Sequence, residues 1–411
     1  MGPKDELPLS RDLCNNGIEI QIYIKEQFMP YYQRVLAKKL TEYLQYFPVV
    51  GLTGPRQSGK STLLHHTLPD YTYVTFDDFR IVSFFHDDPQ RFLSTYNNRI
   101  IFDEVQKVPE FFNYIKIAVD NDRQNKGKFV LTGSSQFSLI KNSSESLAGR
   151  IGLLSLLPFQ FSEIPLSLRD ESIFKGGYPE LIDENYHMFS EWFSSYLETY
   201  LHKDISTIGH VGDIRDFRKL LQLLAINTSQ QLNMSRYAND IGVDVKTIKR
   251  WISILEASYV VFLVPPFYKN YGKRVVKSPK IYFYDTGLVS FLTGIENKTQ
   301  FENGPMAGSL FENYIVSEIL KKELHNKTMA EIYYLRTSNG VEVDLIIDRK
   351  NRKEFIEIKN SQTFTPRMLA AMNEFIEKDD KGYLIYRGEN FAYSPPVKII
   401  NYQNYLSASD N

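Results

Sequence analysis

Short apolar runs and helix-like stretches alternate along the first part of the chain. Helical spacing of apolar residues appears over 32–46 and near 111–121. Apolar runs of strand length occupy residues 47–52, 73–76, 99–102 and 128–131. Strands that alternate with helices predict a parallel sheet that is covered by helices on both faces.

The pattern changes after this region. Residues 214–257 show three helical stretches with helix-turn-helix spacing, and the middle stretch spans 235–241. A tight turn at 242–244 separates it from the third stretch. Apolar runs at 259–264 and 281–284 then predict a pair of strands. Together these elements predict a winged helix.

One stretch carries a specific chemical pattern. Residues 54–61, GPRQSGKS, match G-x-x-x-x-G-K-[S/T] and lie between a predicted strand and a predicted helix. In that context the backbone N–H groups and the positive helix N-terminus face phosphate groups. We expect Lys60 to contact the β- and γ-phosphates of ATP, and the Ser61 hydroxyl to bind Mg²⁺. The predicted nucleotide-binding residues are Gly54, Pro55, Arg56, Gln57, Ser58, Gly59, Lys60, Ser61 and Thr62.

Polar residues follow two other predicted strands. Asp103 and Glu104 come directly after the run 99–102, at the strand end where parallel sheets bind ligands. Asp103 is predicted to hold Mg²⁺, and Glu104 to polarise the water that attacks the γ-phosphate. Ser134 follows the run 128–131 and is a candidate sensor of the γ-phosphate, although hydroxyls are also ordinary turn residues.

These motifs together resemble a known family. GPRQSGKS, IIFDEVQ, LTGSS and SLAGR are similar to the AAA-type ATPase domain of a large bacterial and archaeal group of ATP-binding proteins. The C-terminal half of that group is a domain of unknown function, and the similarity runs from about Tyr23 to the end. The resemblance implies that Arg150 reaches the γ-phosphate of a neighbouring subunit in a homo-oligomer. An arginine in a solvated loop is the alternative.

The composition limits which kinds of partner the protein can bind. The 411 residues are 43% apolar and carry a formal net charge of −1, so contact with DNA requires a local basic patch. Cys14 is the only cysteine, which excludes an internal disulfide and a zinc site built from cysteines. No apolar run approaches the ~20 residues that span a bilayer. We therefore expect a cytoplasmic protein without membrane contact.

Such a basic patch is predicted on the third helix of the helix-turn-helix. Its cations are placed to contact phosphates or base edges in a major groove. The resemblance also implies a winged helix here, but such modules dock on proteins as well, so DNA and protein partners both stay open. The predicted wing carries Lys269, Lys273, Arg274 and Lys277. The predicted DNA-binding residues are Lys246, Thr247, Lys249 and Arg250.

The last part of the chain carries a second set of charged residues. Glu312 lies among apolar neighbours on a predicted helix and needs a cationic partner. Glu318 lies one turn from Lys321 and is predicted to be a surface ion-pair residue. The full set is Glu312, Asp344, Glu357 and Lys359. In this order the set resembles the site of PD-(D/E)xK nucleases, in which acids hold Mg²⁺ and a lysine activates water. The same fold also serves as a binding scaffold, so cleavage stays open.

The expected fold class is α/β, in five segments. They are an N-terminal extension (1–22), a P-loop AAA-type ATPase domain (23–157), a helical connector with an aromatic-rich helix (158–210), a winged-helix module (211–300) and a restriction-endonuclease-like domain (301–411). Two functions fit this organisation. One is an ATP-hydrolysing protein that binds or processes DNA, and the other is an ATP-gated switch whose C-terminal modules bind protein partners.

Overall fold

A computed structural model describes residues 31–133, 147–200, 214–267, 278–393 and 395–408, with only the backbone described at residue 200. Contacts divide the chain into two units, Met1–Gln33 and Arg34–Asn411, and the described helices and strands all lie in the second unit. Several predictions lie outside the described residues. They concern the extension 1–22, Cys14, Ser134 and the basic residues of the predicted wing.

Five parallel strands form the sheet beneath the phosphate-binding motif. They are β1 (Val49–Thr53), β2 (Thr72–Thr75), β3 (Ile100–Asp103), β4 (Phe129–Thr132) and β5 (Ile151–Ser155), in the spatial order β2-β3-β4-β1-β5. Every neighbouring pair is parallel, so the carboxyl ends of β1 and β3 lie at the same edge. The predicted parallel sheet is confirmed, and this edge is where such sheets bind ligands.

Helices cover both faces of this sheet, as predicted. One face packs against α1 (Leu36–Tyr46) and α2 (Lys60–Thr67), and the other against α3 (Phe79–Asp87), α4 (Pro89–Thr95) and α5 (Phe111–Asp120). Along β3, Ile100 and Phe102 join the second core while Ile101 joins the first, because successive strand side chains point to opposite faces. Burial on both faces explains why these strands are continuous apolar runs.

A helical region follows β5. Its described helices are α6 (Arg169–Lys175), α7 (Pro179–Asp183), α8 (Phe189–Tyr200), α9 (Ile214–Ile226), α10 (Met234–Ile241) and α11 (Val245–Ala257). Gly242 ends α10 at a φ angle of 86°, which a side chain would disfavour, and the Asp244 carboxylate caps α11. The antiparallel pair β6 (Val261–Val264) and β7 (Lys280–Phe283) follows. The three helices and two strands lie where the sequence predicts them.

A second five-stranded sheet forms the C-terminal region. The described helices of this part of the chain are α12 (Thr286–Thr293), α13 (Lys298–Asn303), α14 (Ala307–Asn326), α15 (Ala370–Phe375) and α16 (Tyr402–Ser407). The strands are β8 (Glu331–Arg336), β9 (Glu342–Asp348), β10 (Lys353–Lys359), β11 (Lys381–Tyr386) and β12 (Val397–Asn401). They lie in the order β12-β11-β10-β9-β8, parallel from β10 to β12 and antiparallel from β8 to β10. Among the helices that the structure describes, none has the length and apolar character to cross a membrane.

Helix α14 is buried along much of its length, which corrects one prediction. Glu318 is only 3% exposed, and its carboxylate accepts hydrogen bonds from Lys321 Nζ (2.7 Å) and from the Phe161 backbone N–H (2.5 Å). The predicted pair with Lys321 exists, but its predicted surface location is wrong. The segment after β5 covers this face of α14, and Lys321 also donates to the Phe159 carbonyl (3.1 Å).

A buried histidine makes a further contact between α14 and that segment. His325 Nε2 accepts a hydrogen bond from the Leu157 N–H (3.1 Å), while Nδ1 lies 3.0 Å from Gln160 Oε1. One acceptor and one donor nitrogen are the pattern of a neutral ring. Burial lowers the pKa of His325 to about 4, an effect that Glu163 opposes and that Arg34 and Lys321 reinforce.

This histidine should make folding stability fall in mild acid. The unfolded chain takes up the proton near the ordinary pKa of 6.5, whereas the folded protein takes it up only near 4. The stabilisation present above pH 6.5 is therefore lost as the pH falls toward 4, by about 3 kcal/mol. Urea unfolding of the native chain and of His325→Gln across this range measures the difference. Equal pH dependence of the two proteins would contradict the assignment.

Candidate functional site

The loop between β1 and α2 has the backbone conformation that its glycines predict. Gly54 and Gly59 have positive φ angles of 147° and 88°. A Cβ atom at Gly54 would lie 2.0 Å from the Leu156 carbonyl oxygen, so only glycine fits against the residue that follows β5. Gly59 leads directly into α2, whose first N–H groups lack helical partners and can bind an anion.

A cavity of about 460 Å³ lies over this loop. The residues that follow β1 and those at the end of β3 line it, together with two residues of α8 that the sequence analysis missed. The aromatic pattern of α8 predicts a helix, but it does not show which face of that helix meets the cavity. Gly54, Pro55 and Ser58 are buried within the loop instead. The cavity is lined by Arg56, Gln57, Gly59, Lys60, Ser61, Thr62, Asp103, Glu104, Tyr196 and Thr199.

Lys60 lies folded onto its own loop. Its Nζ donates hydrogen bonds to the carbonyl oxygens of Gly54 (3.0 Å) and Pro55 (2.8 Å). Neutral carbonyls are weaker partners for an ammonium group than phosphate oxygens are. The side chain is therefore held at the loop by hydrogen bonds that a triphosphate can replace.

Asp103 and Glu104 are half-buried carboxylates with raised pKa values. Burial is the main cause for both, and the charge of Asp103 raises the pKa of Glu104 further. A hydrogen bond from Tyr73 and the charge of Lys60 lower the pKa of Asp103 without reversing the direction. Burial thus disfavours the ionised form of both acids, and a cation bound beside them would stabilise that form.

Tyr73 connects the two predicted magnesium ligands. Its hydroxyl lies 3.2 Å from Ser61 Oγ and is hydrogen-bonded to the Asp103 carboxylate. A serine hydroxyl and a carboxylate are the hard oxygen donors that Mg²⁺ prefers, so these residues fit the ion. Tyr73 lies on β2, beside β3, and no sequence pattern indicates its role because only packing shows which β2 side chain meets the motif.

Of the other two predicted catalytic residues, only Arg150 belongs to the described residues, and it does not line the cavity. Ser134 lies outside the described residues. Arg150 immediately precedes β5, at the sheet edge opposite the phosphate loop, and its guanidinium donates to the Asp120 carboxylate at 2.6 and 3.0 Å. From this edge Arg150 does not approach the cavity of its own chain.

Three of the four residues in the predicted nuclease set form one cluster, in which the two acids are buried and Lys359 is half-buried. Lys359 Nζ lies 2.9 Å from both Asp344 Oδ2 and Glu357 Oε2, and the Ile358 N–H donates to Asp344. Burial, followed by the charge of Asp344, raises the pKa of Glu357 to about 9. Glu357 Oε1 is buried and has no hydrogen-bond partner among the described residues.

The fourth residue, Glu312, has the cationic partner that its apolar neighbours require. Lys280 Nζ on β7 lies 2.9 Å from Glu312 Oε1 and 2.5 Å from Glu342 Oε1, and Tyr282 also donates to Glu312. Asp344 is close enough for its charge to raise the pKa of Glu312. Within the described ranges, no group of three or more His, Cys, Asp or Glu side chains is arranged to hold a metal ion. Lysine ammonium groups thus neutralise acids at both ends of this cluster.

The predicted DNA-binding residues lie at the start of α11. Lys246, Lys249 and Arg250 are exposed. Thr247 differs, because its backbone N–H (2.7 Å) and its hydroxyl (3.1 Å) both bind the Asp244 carboxylate. The three cations form a positive helix surface, whereas Thr247 belongs to the helix cap.

Comparison with protein families gives three matches along the chain. Residues 46–165 match the AAA domain, residues 167–299 match a domain of unknown function (DUF8612), and residues 307–405 match another (DUF4143). The AAA match contains the phosphate loop, Asp103 and Glu104.

A longer alignment shows to which family the chain belongs. The chain is 31% identical over 342 residues to the uncharacterized protein Rv2008c of Mycobacterium tuberculosis, which covers 83% of this chain and 76% of that protein. The chain belongs to the same family as this mycobacterial protein. The uncharacterized protein MJ1544 of Methanocaldococcus jannaschii is 24% identical over 344 residues, covering 74% of this chain and 73% of its own length. The AAA match over residues 46–165 confirms the AAA-type ATPase part of the predicted family.

Two solved structures show partial similarity. The Walker-type ATPase PABY2304 of Pyrococcus abyssi is 15% identical, with 64% of this chain and 96% of that chain covered and a TM-score of 0.44. AMPPCP-bound DnaA from Aquifex aeolicus is 14% identical, with 56% and 90% covered and a TM-score of 0.30.

Proposed function

We propose that the protein binds ATP and hydrolyses it with Mg²⁺. One observation carries the proposal: the phosphate loop, Asp103 and Glu104 line the same cavity. The match of residues 46–165 to the AAA domain supports it.

The residues of the cavity have separate roles in this proposal. The N–H groups at the start of α2 bind phosphate oxygens. Lys60 leaves the loop carbonyls that it contacts and binds the β- and γ-phosphates instead. Ser61 and Asp103 would hold Mg²⁺, which neutralises charge on the phosphates when it is bound. Glu104 orients the attacking water and accepts its proton, and its raised pKa makes the carboxylate a stronger base.

Phosphate release from ATP by the full chain tests this proposal. We expect release in Mg²⁺, loss of release when EDTA removes the ion, and recovery when Mg²⁺ is restored. A chain that neither binds nor hydrolyses ATP under any of these conditions would exclude the function.

The helix-turn-helix region contacts the strand that leads into the phosphate loop. The Tyr259 hydroxyl lies 2.6 Å from Thr53 Oγ1 and 3.0 Å from Ser155 Oγ, and Thr53 is the last residue of β1. This contact supports a winged-helix module whose position depends on the nucleotide. In this proposal the start of α11 binds DNA through Lys246, Lys249 and Arg250, with Thr247 beside them.

Salt-dependent DNA binding tests that second step. Alanine at both Lys249 and Arg250 should weaken binding to any duplex and lower the steepness of its salt dependence, because phosphate contacts release counterions. Alanine at exposed Lys116 on α5 is the control. Unchanged DNA behaviour in the double variant would favour the alternative, an ATP-gated switch that binds protein partners.

For the C-terminal region we propose a nuclease-like fold that serves as a binding scaffold. Lys280 and Lys359 already neutralise the acids at which a cleaving site would need Mg²⁺. We therefore expect no plasmid cleavage in Mg²⁺. Cleavage that disappears in Asp344→Ala would instead show an active nuclease.

We also propose that the chain self-associates and that Arg150 acts between two copies. Because its own cavity lies at the opposite sheet edge, the residue could act only on ATP held by a second copy of the chain. Mass measurement in solution with and without ATP tests this. A chain that stays monomeric with ATP would exclude the role.

A further inference from the structure

Arg34 lies directly beneath the phosphate loop and is only 4% exposed. Its Nη1 donates a hydrogen bond to the Ser58 carbonyl (2.8 Å), and its Nη2 donates to the Leu157 carbonyl (2.6 Å). Ser58 belongs to the loop, whereas Leu157 lies just beyond β5. One guanidinium group therefore joins the loop to the neighbouring strand exit.

The bond to Ser58 orients an N–H group as well as a carbonyl. The Ser58 carbonyl and the Gly59 N–H belong to one planar trans peptide, so they point in opposite directions. Arg34 holds the carbonyl from the buried side, and Gly59 lines the cavity on the other side. The Gly59 N–H is thereby directed toward the place where phosphate oxygens bind.

Arg34 is itself held on several sides. Its Nε lies 3.2 Å from Glu163 Oε1, and its guanidinium lies 4.6 Å from the centre of the Phe159 ring. Glu163 is fixed in turn by the N–H groups of Val35 (2.6 Å) and Gln160 (2.9 Å). The guanidinium is therefore preorganised, and its geometry does not have to form when nucleotide arrives.

We propose that Arg34 is a positioning residue for the ATP site, holding the Ser58–Gly59 peptide in its phosphate-binding orientation. This inference rests on the proposed binding of ATP. Lysine preserves the charge beside Glu163 but lacks the planar fork that reaches two carbonyls. Because preset backbone donors bind ATP in the ground state and in the transition state alike, their loss should raise Kd and KM more than it changes kcat.

The decisive variant is Arg34→Lys in the full chain. We expect Kd for a fluorescent ATP analogue and KM for ATP to rise at least about tenfold, with kcat changed less than about threefold. The thermal midpoint of the nucleotide-free variant, measured beside its affinity, separates loss of ATP binding from loss of folding. Arg349→Lys is the matched control, since Arg349 binds Glu323 (2.7 Å) and Glu354 (3.0 Å) in the C-terminal region and should leave Kd unchanged.

Native affinity in Arg34→Lys would overturn the proposal. If the native chain binds no ATP, the proposed function fails instead, so the two failures are distinguishable. Hydrogen exchange on the native chain gives a second test that needs no variant. ATP should slow exchange in 157–163 together with 54–61 and leave 349–354 unchanged, and protection confined to the loop would overturn the proposal.

Discussion

Replacement of Lys60 by alanine should lower the rate of ATP hydrolysis by roughly 10²–10³-fold. The ammonium group now contacts the carbonyls of Gly54 and Pro55, and it is the cation that the loop itself supplies to the β- and γ-phosphates. The loop conformation depends on Gly54 and Gly59, so the variant should fold normally. Phosphate release and ATP affinity measure the effect.

The control for this variant is Lys116→Ala, because Lys116 is exposed on α5 and lies away from the cavity. Its hydrolysis rate should equal that of the native chain. Near-native turnover in Lys60→Ala, with an unchanged thermal midpoint, would show that the phosphate loop does not act as proposed.

Replacement of Glu104 by glutamine should separate binding from chemistry. The amide keeps the size of the side chain but cannot accept the proton of the attacking water, so kcat should fall by about 10²–10⁴-fold. Affinity for ATP should stay close to native, because Lys60 and the loop N–H groups are unchanged. A single-turnover assay with pre-bound ATP measures the chemical step directly.

Glu110→Gln is the matched control, since Glu110 is an exposed acid beyond the same strand and does not line the cavity. Its turnover should be native. If Glu104→Gln hydrolyses ATP at the native rate, another group activates the water and the role of Glu104 is wrong.

Most residues predicted from the phosphate-loop motif and from the end of β3 line one cavity, because these motifs are local. The spacing of residues 54–61 specifies a strand, a loop and a helix, and Asp103 and Glu104 follow an apolar strand that must end at the same edge. The sheet and its helices followed from the alternation of apolar runs. These features need little knowledge of distant contacts.

The missed residues all depend on tertiary packing. Tyr73 and Tyr196 reach the phosphate site from β2 and α8, whose sequence patterns give only their secondary structure, and Arg34 reaches it from just before α1. Lys280 likewise meets Glu312 because β7 packs on α14. Glu318 has the spacing of a surface pair, yet the backbone of the segment after β5 supplies it with a buried hydrogen-bond donor. Periodicity cannot reveal which segment covers a helix face.

Equilibrium titration of the native chain and of Lys60→Ala with ATP in Mg²⁺ tests the central claim most directly. We expect saturable binding of one ATP per chain to the native protein, and binding weakened at least about tenfold in the variant. Absence of binding to the native chain, or equal affinity in both proteins, would contradict an ATP site at residues 54–61.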